Sequence, residues 1–378
     1  MHLDQVRAAL SIEVVYNFAG GLIGIALPLL MLKRNISIVA IGLVFASMPI
    51  IFQVARMIFA TISEFWGRKI FYVFSGIFNT ISTSIYYLAR TVLQYLLGKV
   101  FDGTTSGSIL AVDRAFLLEK SEKKWSTLIT LQSVINASSA VGTILAGFFI
   151  VWLSYEGTLM LALLIGAFMI PLSLLLVGEA RKKFSVAKAV QIVDFRKKRK
   201  DFKIFLILFF VIGLSLGFRS GYIFPLFLNQ KGFNVETIGI LSGFGGVLNS
   251  LFSYFVARRF EINKLILLSG VLCTVILVFL GFSSSFSTVI LVLAYGAVMG
   301  LFNMGEEGIF ATITSKESYG ADIGLLWMGH YIAQTLSMAM SGFIISMWSF
   351  VATFWISASI LPLYYVTAYF IMREQKSS

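Results

Sequence analysis

Ionisable side chains inside long apolar stretches are the residues of this sequence best suited to do chemistry. They are Glu13, Arg56, Lys99, Asp102, Arg219, Glu306 and Glu307. Burying a charge at the centre of a lipid bilayer costs on the order of a few kcal/mol, so such residues usually serve binding, proton transfer or pairing. Carboxylates in this setting can carry protons, and arginine stays charged and suits an anionic partner.

Lys99 and Asp102 are three residues apart and therefore share one face of a helix. Two interpretations stay open: the two charges neutralise one another, or the pair handles substrate or protons. Gly103 and Gly107 follow in the sequence, and small residues let helices approach closely around a cavity. We therefore include Lys99 and Asp102 in the candidate substrate and proton site.

Arg219 lies among three regularly spaced glycines, Gly213, Gly217 and Gly221. The position predicts a guanidinium group near the middle of a membrane span, and the glycines predict close helix packing. An anionic substrate group and a carboxylate such as Asp102 are both suitable partners for this guanidinium. A functional role and a structural pairing therefore both stay open.

Four further polar residues complete the predicted substrate and proton site. Glu13 and Asn17 are one helical turn apart on the same face, and Glu13 is either a proton site or a group near the cytoplasmic interface. Arg56 could reach substrate or extend to the lipid headgroups. Asn136 is a mid-span amide of the kind that bonds between helices or contacts substrate.

The elements that must position these residues are twelve apolar stretches. Hydrophobic residues make up 58% of the chain and charged residues only 13%, whereas a soluble domain carries about a quarter charged residues. A membrane-spanning helix needs roughly 20 apolar residues. The stretches are residues 9–32, 38–62, 70–89, 92–113, 125–152, 157–178, 203–229, 236–258, 264–282, 286–311, 321–346 and 348–371. The sequence thus predicts an all-α polytopic membrane protein with twelve transmembrane helices.

A basic segment divides these stretches into two sets of six. We predict an N-terminal six-helix bundle at 1–178, a basic cytoplasmic linker at 179–201 and a C-terminal six-helix bundle at 202–378. Most of the 30 Lys and Arg residues fall on the side that also holds the linker and both termini. Because positive charge marks the cytoplasmic side, we expect both termini in the cytoplasm and the protein in the plasma membrane. The net charge of +12 then sets orientation, and nucleic acid is not an expected partner.

An internal repeat relates the two halves. Pro28 closes the first span and Gly42 lies early in the second, and Pro225 and Gly239 repeat this arrangement in the other half. Each half has an even number of spans, so the halves share one topology and are related by an axis along the membrane normal. Secondary transporters are commonly built in this way.

Over nearly its whole length the sequence resembles the major facilitator superfamily (MFS). Ala60–Lys69, with Glu64 and Arg68, is similar to the family's motif of an acidic residue, a glycine and two basic residues between spans two and three. Lys99–Gly103 resembles its Arg-x-x-Gln-Gly element in span four. Gly142–Gly147 is similar to the small-residue motif of its antiporters in span five. The resemblance implies the MFS fold and, in motif style, a drug:proton antiporter.

A cytoplasmic gate is predicted from charges at equivalent ends of spans four and ten. We expect Asp113 to pair with Arg68, and Glu306 to pair with Arg258, when the protein faces outward. The full set of predicted gate residues is Glu64, Arg68, Asp113, Arg258, Glu306 and Glu307.

The sequence shows no nucleophile with its base, no metal cluster and no phosphate-binding loop. We therefore expect neither enzymatic activity nor a cofactor. The predicted function is alternating-access secondary transport of a small molecule by a monomer in the lipid bilayer, as proton-coupled efflux of hydrophobic, drug-like compounds. The alternative is proton-coupled transport of a small organic anion. A non-transporting membrane sensor or scaffold is an alternative of another class, which the cost of buried charge disfavours.

The predicted orientation can be tested by cysteine labelling of intact cells. In a Cys273→Ser background, Lys188→Cys should be protected from a membrane-impermeant maleimide, because the linker faces the cytoplasm. Lys231→Cys, in the loop after span seven, should be labelled. Permeabilised cells should label both and serve as the control, and the opposite pattern in intact cells would reverse the orientation.

Overall fold

Helices make up nearly all of the described protein. The computed structural model describes residues 2–120, 124–178, 200–256, 259–314 and 319–377, which form thirteen α-helices and one π-helical turn. The first six helices are α1 (His2–Lys33), α2 (Ile38–Trp66), α3 (Lys69–Leu88), α4 (Val92–Lys120), α5 (Lys124–Ala167) and α6 (Met169–Leu174). The others are α7 (Lys200–Gly217), α8 (Ile223–Gln230), α9 (Val235–Leu251), α10 (Ile262–Leu280), α11 (Ser285–Ile313), α12 (Tyr319–Met347) and α13 (Phe350–Ser377), with the π turn at Phe252–Val256.

The described helices have the surface of a membrane protein. Seven helical segments are long and apolar enough to cross a membrane, judged by length and composition. Large apolar side chains stand out from the helices, such as Trp152, which is 72% exposed, and Phe286, which is 77% exposed. An extensive apolar surface of this kind marks contact with lipid. The predicted all-α polytopic membrane fold is confirmed.

A sharp bend interrupts α5 where the sequence predicts the turn between spans five and six. Ser154 has φ 68° and ψ 174°, and a positive φ is uncommon for any residue other than glycine. The Oγ atom of Ser154 accepts a hydrogen bond of 3.3 Å from the N–H group of Gly157. Such a serine cap satisfies a donor at the start of the following helical segment, so the bend begins the sixth span.

The seventh span is also interrupted. α7 ends at Gly217, and Gly221 has φ 64° in the turn that precedes α8. A side chain at Gly213 would overlap the backbone carbonyl of His330, and one at Gly217 would lie 2.7 Å from the carbonyl oxygen of Gln334. Two of the three regularly spaced glycines therefore bring α7 close to α12, as predicted, while the third allows a left-handed turn.

The chain divides into two compact units. The first consists of Met1–Ser185 and Phe233–Gly243, and the second of Val186–Gly232 and Phe244–Ser378. The start of α9 belongs to the first unit because it packs on α5 through glycines. A side chain at Gly239 would lie 2.9 Å from the amide nitrogen of Gly147. Residues 179–199 of the predicted linker lie outside the described residues.

Within the first unit, α1 and α5 pack backbone against backbone. A Cβ atom at Gly21 would lie 2.5 Å from the carbonyl oxygen of Ser139 and 2.7 Å from the amide nitrogen of Thr143. A Cβ atom at Gly142 would overlap the carbonyl of Phe18. Small residues at such crossings let membrane helices gain dispersion contacts that larger side chains would prevent.

This contact predicts opposite effects for two adjacent glycines of α1. Gly21→Ala should lower the unfolding temperature of the purified protein, because overpacking against rigid backbone typically costs about 1–3 kcal/mol. Gly20→Ala is the matched control, since a side chain there meets nothing within 4 Å and alanine favours the helix. Intrinsic tryptophan fluorescence during heating gives the readout, and equal unfolding temperatures for the two variants would refute the packing argument.

Candidate functional site

Arg219 is held in the interruption between α7 and α8. The sequence predicts a continuous span through this residue, but the structure places it in the non-helical turn at 218–222. Its side chain is 1% exposed. Irregular backbone inside a membrane protein occurs where it is buried in protein or lines a cavity, and transporters build substrate sites at such broken helices.

The guanidinium group of Arg219 is bonded at one end and open along one edge. Its Nη1 atom donates to Oη of Tyr295 at 2.5 Å, and lies 3.1 Å from Sδ of Met299 and 3.5 Å from Sγ of Cys273. Nε and Nη2 have no hydrogen-bond partner among the described residues. These two nitrogens form one edge of the planar group, an edge that fits both oxygens of a carboxylate.

Glu306 shares a face of α11 with two partners of Arg219. Tyr295, Met299 and Glu306 follow one another at spacings of about one and two helical turns. Glu306 is 9% exposed, and its Oε1 atom has no hydrogen-bond partner among the described residues. Its carboxylate interacts electrostatically with the Arg219 guanidinium, yet among the described residues the two form no ion pair.

Among the described residues of the second unit, His330 and Tyr364 are further buried side chains with an unpartnered polar atom. Within the described part of the chain, Nδ1 of His330 and Oη of Tyr364 have no hydrogen-bond partner. Aromatic rings lie against both: the ring centroid of Trp327 is 4.8 Å from that of His330, and Phe302 is 5.7 Å from Tyr364. Native proteins leave few buried polar atoms unsatisfied, so this group has unused capacity to bind a ligand or water.

Lys99 and Asp102 form an ion pair in the first unit. Nζ of Lys99 lies 2.8 Å from Oδ2 of Asp102, and Oη of Tyr86 donates to the same oxygen at 2.9 Å. The ammonium group also lies 4.5 Å from the ring centroid of Phe45. The pair is therefore neutralised within its own unit. A pairing of Asp102 with Arg219 would join the two units and stays a prediction.

Glu13 and Asn17 are in contact, as their spacing predicts. Nδ2 of Asn17 donates to the backbone oxygen of Glu13 at 2.9 Å and to its Oε2 atom at 3.1 Å. Glu13 is 1% exposed. Its Oε1 atom has no hydrogen-bond partner among the described residues. A carboxyl group so placed is buried rather than exposed at a membrane interface.

The other two predicted site residues have ordinary polar surroundings. Asn136 accepts a hydrogen bond of 3.1 Å from Nε2 of Gln132, one turn earlier on α5. Arg56 is half-buried on α2 and interacts electrostatically with Asp113. The structure thus places Arg56 beside a carboxylate of α4, whereas Asn136 bonds within its own helix.

Among the described residues, Arg68 and Asp113 form no ion pair, and their pairing when the protein faces outward stays a prediction. Arg68 pairs instead with Glu119, with Nη2 and Oε1 2.7 Å apart. The reason is the length of α4, which continues to Lys120 and carries Glu119 past the predicted end of the fourth span at residue 113. Oδ1 of Asp113 accepts the N–H group of Arg114 at 2.5 Å.

Three of the remaining gate residues lie in the described part of the chain. Glu64 and Glu307 are exposed, and Glu306 is buried as described above. Arg258 lies outside the described residues, so its pairing with Glu306 stays a prediction.

The polar cluster around Arg34 was not predicted from the sequence. Arg34, at the end of α1, forms an ion pair of 2.7 Å with Glu156 and also donates to the carbonyl of Ala89 and the hydroxyl of Tyr95. It thereby links the end of α1 to the end of α3, the start of α4 and the bend in α5. Its position in a short loop resembled plain interfacial charge, and only the fold brings these partners together.

Comparison with known proteins gives the family. The family model described as Major Facilitator Superfamily matches residues 9–305. An uncharacterised MFS-type transporter of Methanocaldococcus jannaschii is 28% identical over 102 residues, which are 27% of this chain and 26% of that protein. The chain therefore aligns with only about a quarter of that relative's length.

Solved structures with the same fold cover almost the entire chain. A variant of the nucleoside transporter NupG has a TM-score of 0.77 at 16% identity, covering 97% of this chain and 99% of that one. The human organic anion transporter MFSD10 (TETRAN) has a TM-score of 0.73 at 14% identity, with 97% and 99% coverage. At these identities the likeness concerns the fold. Because the family model matches most of its length, the chain belongs to the Major Facilitator Superfamily and is a transporter, not an enzyme.

Proposed function

We propose that this transporter moves small organic anions and that Arg219 binds the anionic group of the substrate. The observation that carries the proposal is the unpartnered edge of a guanidinium that is only 1% exposed. An uncompensated buried charge is strongly destabilising, typically by about 3–5 kcal/mol when a partner is removed. A carboxylate or similar anion bound along Nε and Nη2 would supply the missing partner.

The surroundings of Arg219 favour an anion with an apolar body. The ring centroid of Phe224 is 4.9 Å from that of Tyr295 and 5.4 Å from that of Phe354. Ligand sites of proteins combine largely apolar walls with a few placed polar groups. An aromatic carboxylate matches both parts, because its ring can pack against these side chains while its oxygens meet Arg219.

The similar structures provide weaker support. One of them is an organic anion transporter and another is a nucleoside transporter, so the fold accommodates small polar organic solutes. Proton coupling, a monomeric state, and a plasma-membrane location with both termini in the cytoplasm belong to the same proposal. Proton coupling rests on the buried carboxyl groups, and the orientation rests on the distribution of basic residues in the sequence.

Replacing Arg219 tests this proposal. With benzoate as the probe, Arg219→Gln should weaken binding about tenfold to a hundredfold, because hydrogen bonds to a charged group contribute about 1.5–3 kcal/mol. Arg219→Lys should fall between, since lysine keeps the charge but loses the planar edge. Ligand-induced thermal stabilisation of the purified protein and exchange of labelled benzoate in proteoliposomes give the readouts.

Two controls make the result specific. Benzamide has nearly the shape of benzoate without its charge and should not bind, and Arg90→Gln removes an exposed arginine and should bind benzoate like the wild type. The proposal is refuted if Arg219→Gln binds benzoate normally. The proposal is also refuted if the wild type binds none of a panel of aromatic and aliphatic carboxylates but binds the neutral nucleoside uridine.

Export of hydrophobic cations is the second candidate function. The observation that favours it is Asp102, whose side chain is 19% exposed beside the aromatic rings of Tyr86 and Phe45. A carboxylate next to aromatic surface suits a lipophilic cation. Since Lys99 already neutralises Asp102 in this structure, the cation or a proton would have to displace the ammonium group.

A dye assay separates this candidate from the first. If it holds, wild-type proteoliposomes move a lipophilic cationic dye under an imposed pH gradient and Asp102→Asn abolishes that movement. Glu119→Gln, which changes an exposed carboxylate of the same helix, is the matched control. Because Asp102→Asn leaves Lys99 without its carboxylate, the double variant Lys99→Met/Asp102→Asn shows whether lost movement is only lost folding. Wild-type vesicles that exchange benzoate but move no dye would eliminate this candidate.

A further inference from the structure

Two buried carboxyl groups of the first unit each keep one oxygen without a hydrogen-bond partner among the described residues. Glu13 on α1 and Asp113 on α4 are each 1% exposed. In the described residues, Glu13 bonds only to the amide of Asn17, and Asp113 only to the N–H group of Arg114. Oε1 of Glu13 and Oδ2 of Asp113 have no hydrogen-bond partner there.

The register of α1 against α4 brings the two carboxyl groups together. Oη of Tyr16 lies 2.6 Å from Oγ of Ser106 and fixes this register. As the first and fourth helices of an up-and-down bundle, α1 and α4 run in opposite directions. Glu13 is three residues before Tyr16, and Asp113 is seven residues after Ser106, so both lie on the same side of the bond at about 4–5 Å and 10 Å along the helix axes.

The tilt of helical side chains closes the remaining distance. Side chains on a helix lean towards its N-terminus. In antiparallel helices the Glu13 side chain therefore leans towards the level of Asp113, and the Asp113 side chain leans towards that of Glu13. The carboxylate of Asp113 acts electrostatically on that of Glu13.

The surroundings of the pair are mostly apolar. Residues on both flanks of the carboxyl groups pack into one buried cluster, including Ala9 and Ile12 from α1 and Val112 and Phe116 from α4. Such surroundings offer little compensation for two negative charges, and two carboxylates at one buried site cannot both ionise without a large cost.

The charged groups that face the pair come from two helices. Arg114 on α4 interacts with both carboxyl groups, and Arg56 on α2 interacts with Asp113. Among the described residues, α5 and α6, which also pack on α1, contribute no charged group that acts on Glu13. On α3, Lys69 donates to the carbonyl oxygen of Leu174. Neither arginine donates to Oε1 of Glu13 or to Oδ2 of Asp113, because these two oxygens have no hydrogen-bond partner among the described residues.

We propose that Glu13 and Asp113 share one proton and together form a proton-binding site of the transporter. One proton suffices to remove the repulsion between the two carboxylates. Asp113 thus acts with Glu13 rather than with Arg68, because Arg68 forms its ion pair with Glu119. The inference does not depend on which solute is carried.

Infrared spectroscopy of the purified protein in lipid tests the shared proton directly. At neutral pH, the wild type should show the C=O stretch of one more protonated carboxyl group than the double variant Glu13→Gln/Asp113→Asn. Each single variant should also lose this band, because replacing either partner by a neutral amide removes the repulsion that holds the proton. Hydrogen–deuterium exchange identifies the band, and Glu119→Gln should leave it unchanged.

Three outcomes would overturn the proposal. The first is a wild-type spectrum that shows no additional band when it is compared with that of the double variant. The second is an unaltered band in Asp113→Asn, which would assign the proton to Glu13 alone. The third is loss of the wild-type band when sodium replaces choline at constant pH, which would make this a sodium site. If the amide variants do not fold, pH and sodium titrations of the wild-type band still show whether a proton is bound at this site.

Discussion

The interior of a membrane offers no water to a buried charge, and the placement of ionisable groups in this protein follows from that constraint. Some charges are compensated inside one unit, as in the pairs Lys99–Asp102 and Arg34–Glu156. Others, above all Arg219, keep donors or acceptors without a partner among the described residues. Because native proteins leave few buried polar atoms without a partner, these groups are the ones that function must explain.

Sequence was sufficient for features that depend on local spacing and hydropathy. Apolar stretches of the right length gave the helical membrane fold, and the three-residue and four-residue spacings gave the contacts of Lys99 with Asp102 and of Asn17 with Glu13. The interruption at Arg219 was not predicted, because glycines at helical spacing fit both a packed helix and a turn. Only the φ angle of 64° at Gly221 separates the two cases.

Tertiary contacts were the part that sequence could not supply. The partners of Arg219 come from α10 and α11, more than fifty residues away in the chain, and nothing in the local pattern marks Tyr295 or Cys273. The pairing of Arg68 depended on how far α4 continues beyond its apolar stretch. The polar end of a helix has no hydropathy signal, so the apolar stretches did not predict that α4 would carry Glu119 to Arg68.

The aromatic cluster of the second unit gives the molecule a built-in optical reporter. Trp327 lies against the rings of His330 and Tyr331, beside the buried polar group, while Trp66, Trp152 and Trp348 are largely exposed on the surface. An indole in contact with an imidazole emits differently from one in lipid, so its fluorescence depends on the state of that ring. Movement or filling of this region would therefore change the emission of one tryptophan and leave the surface tryptophans as an internal reference.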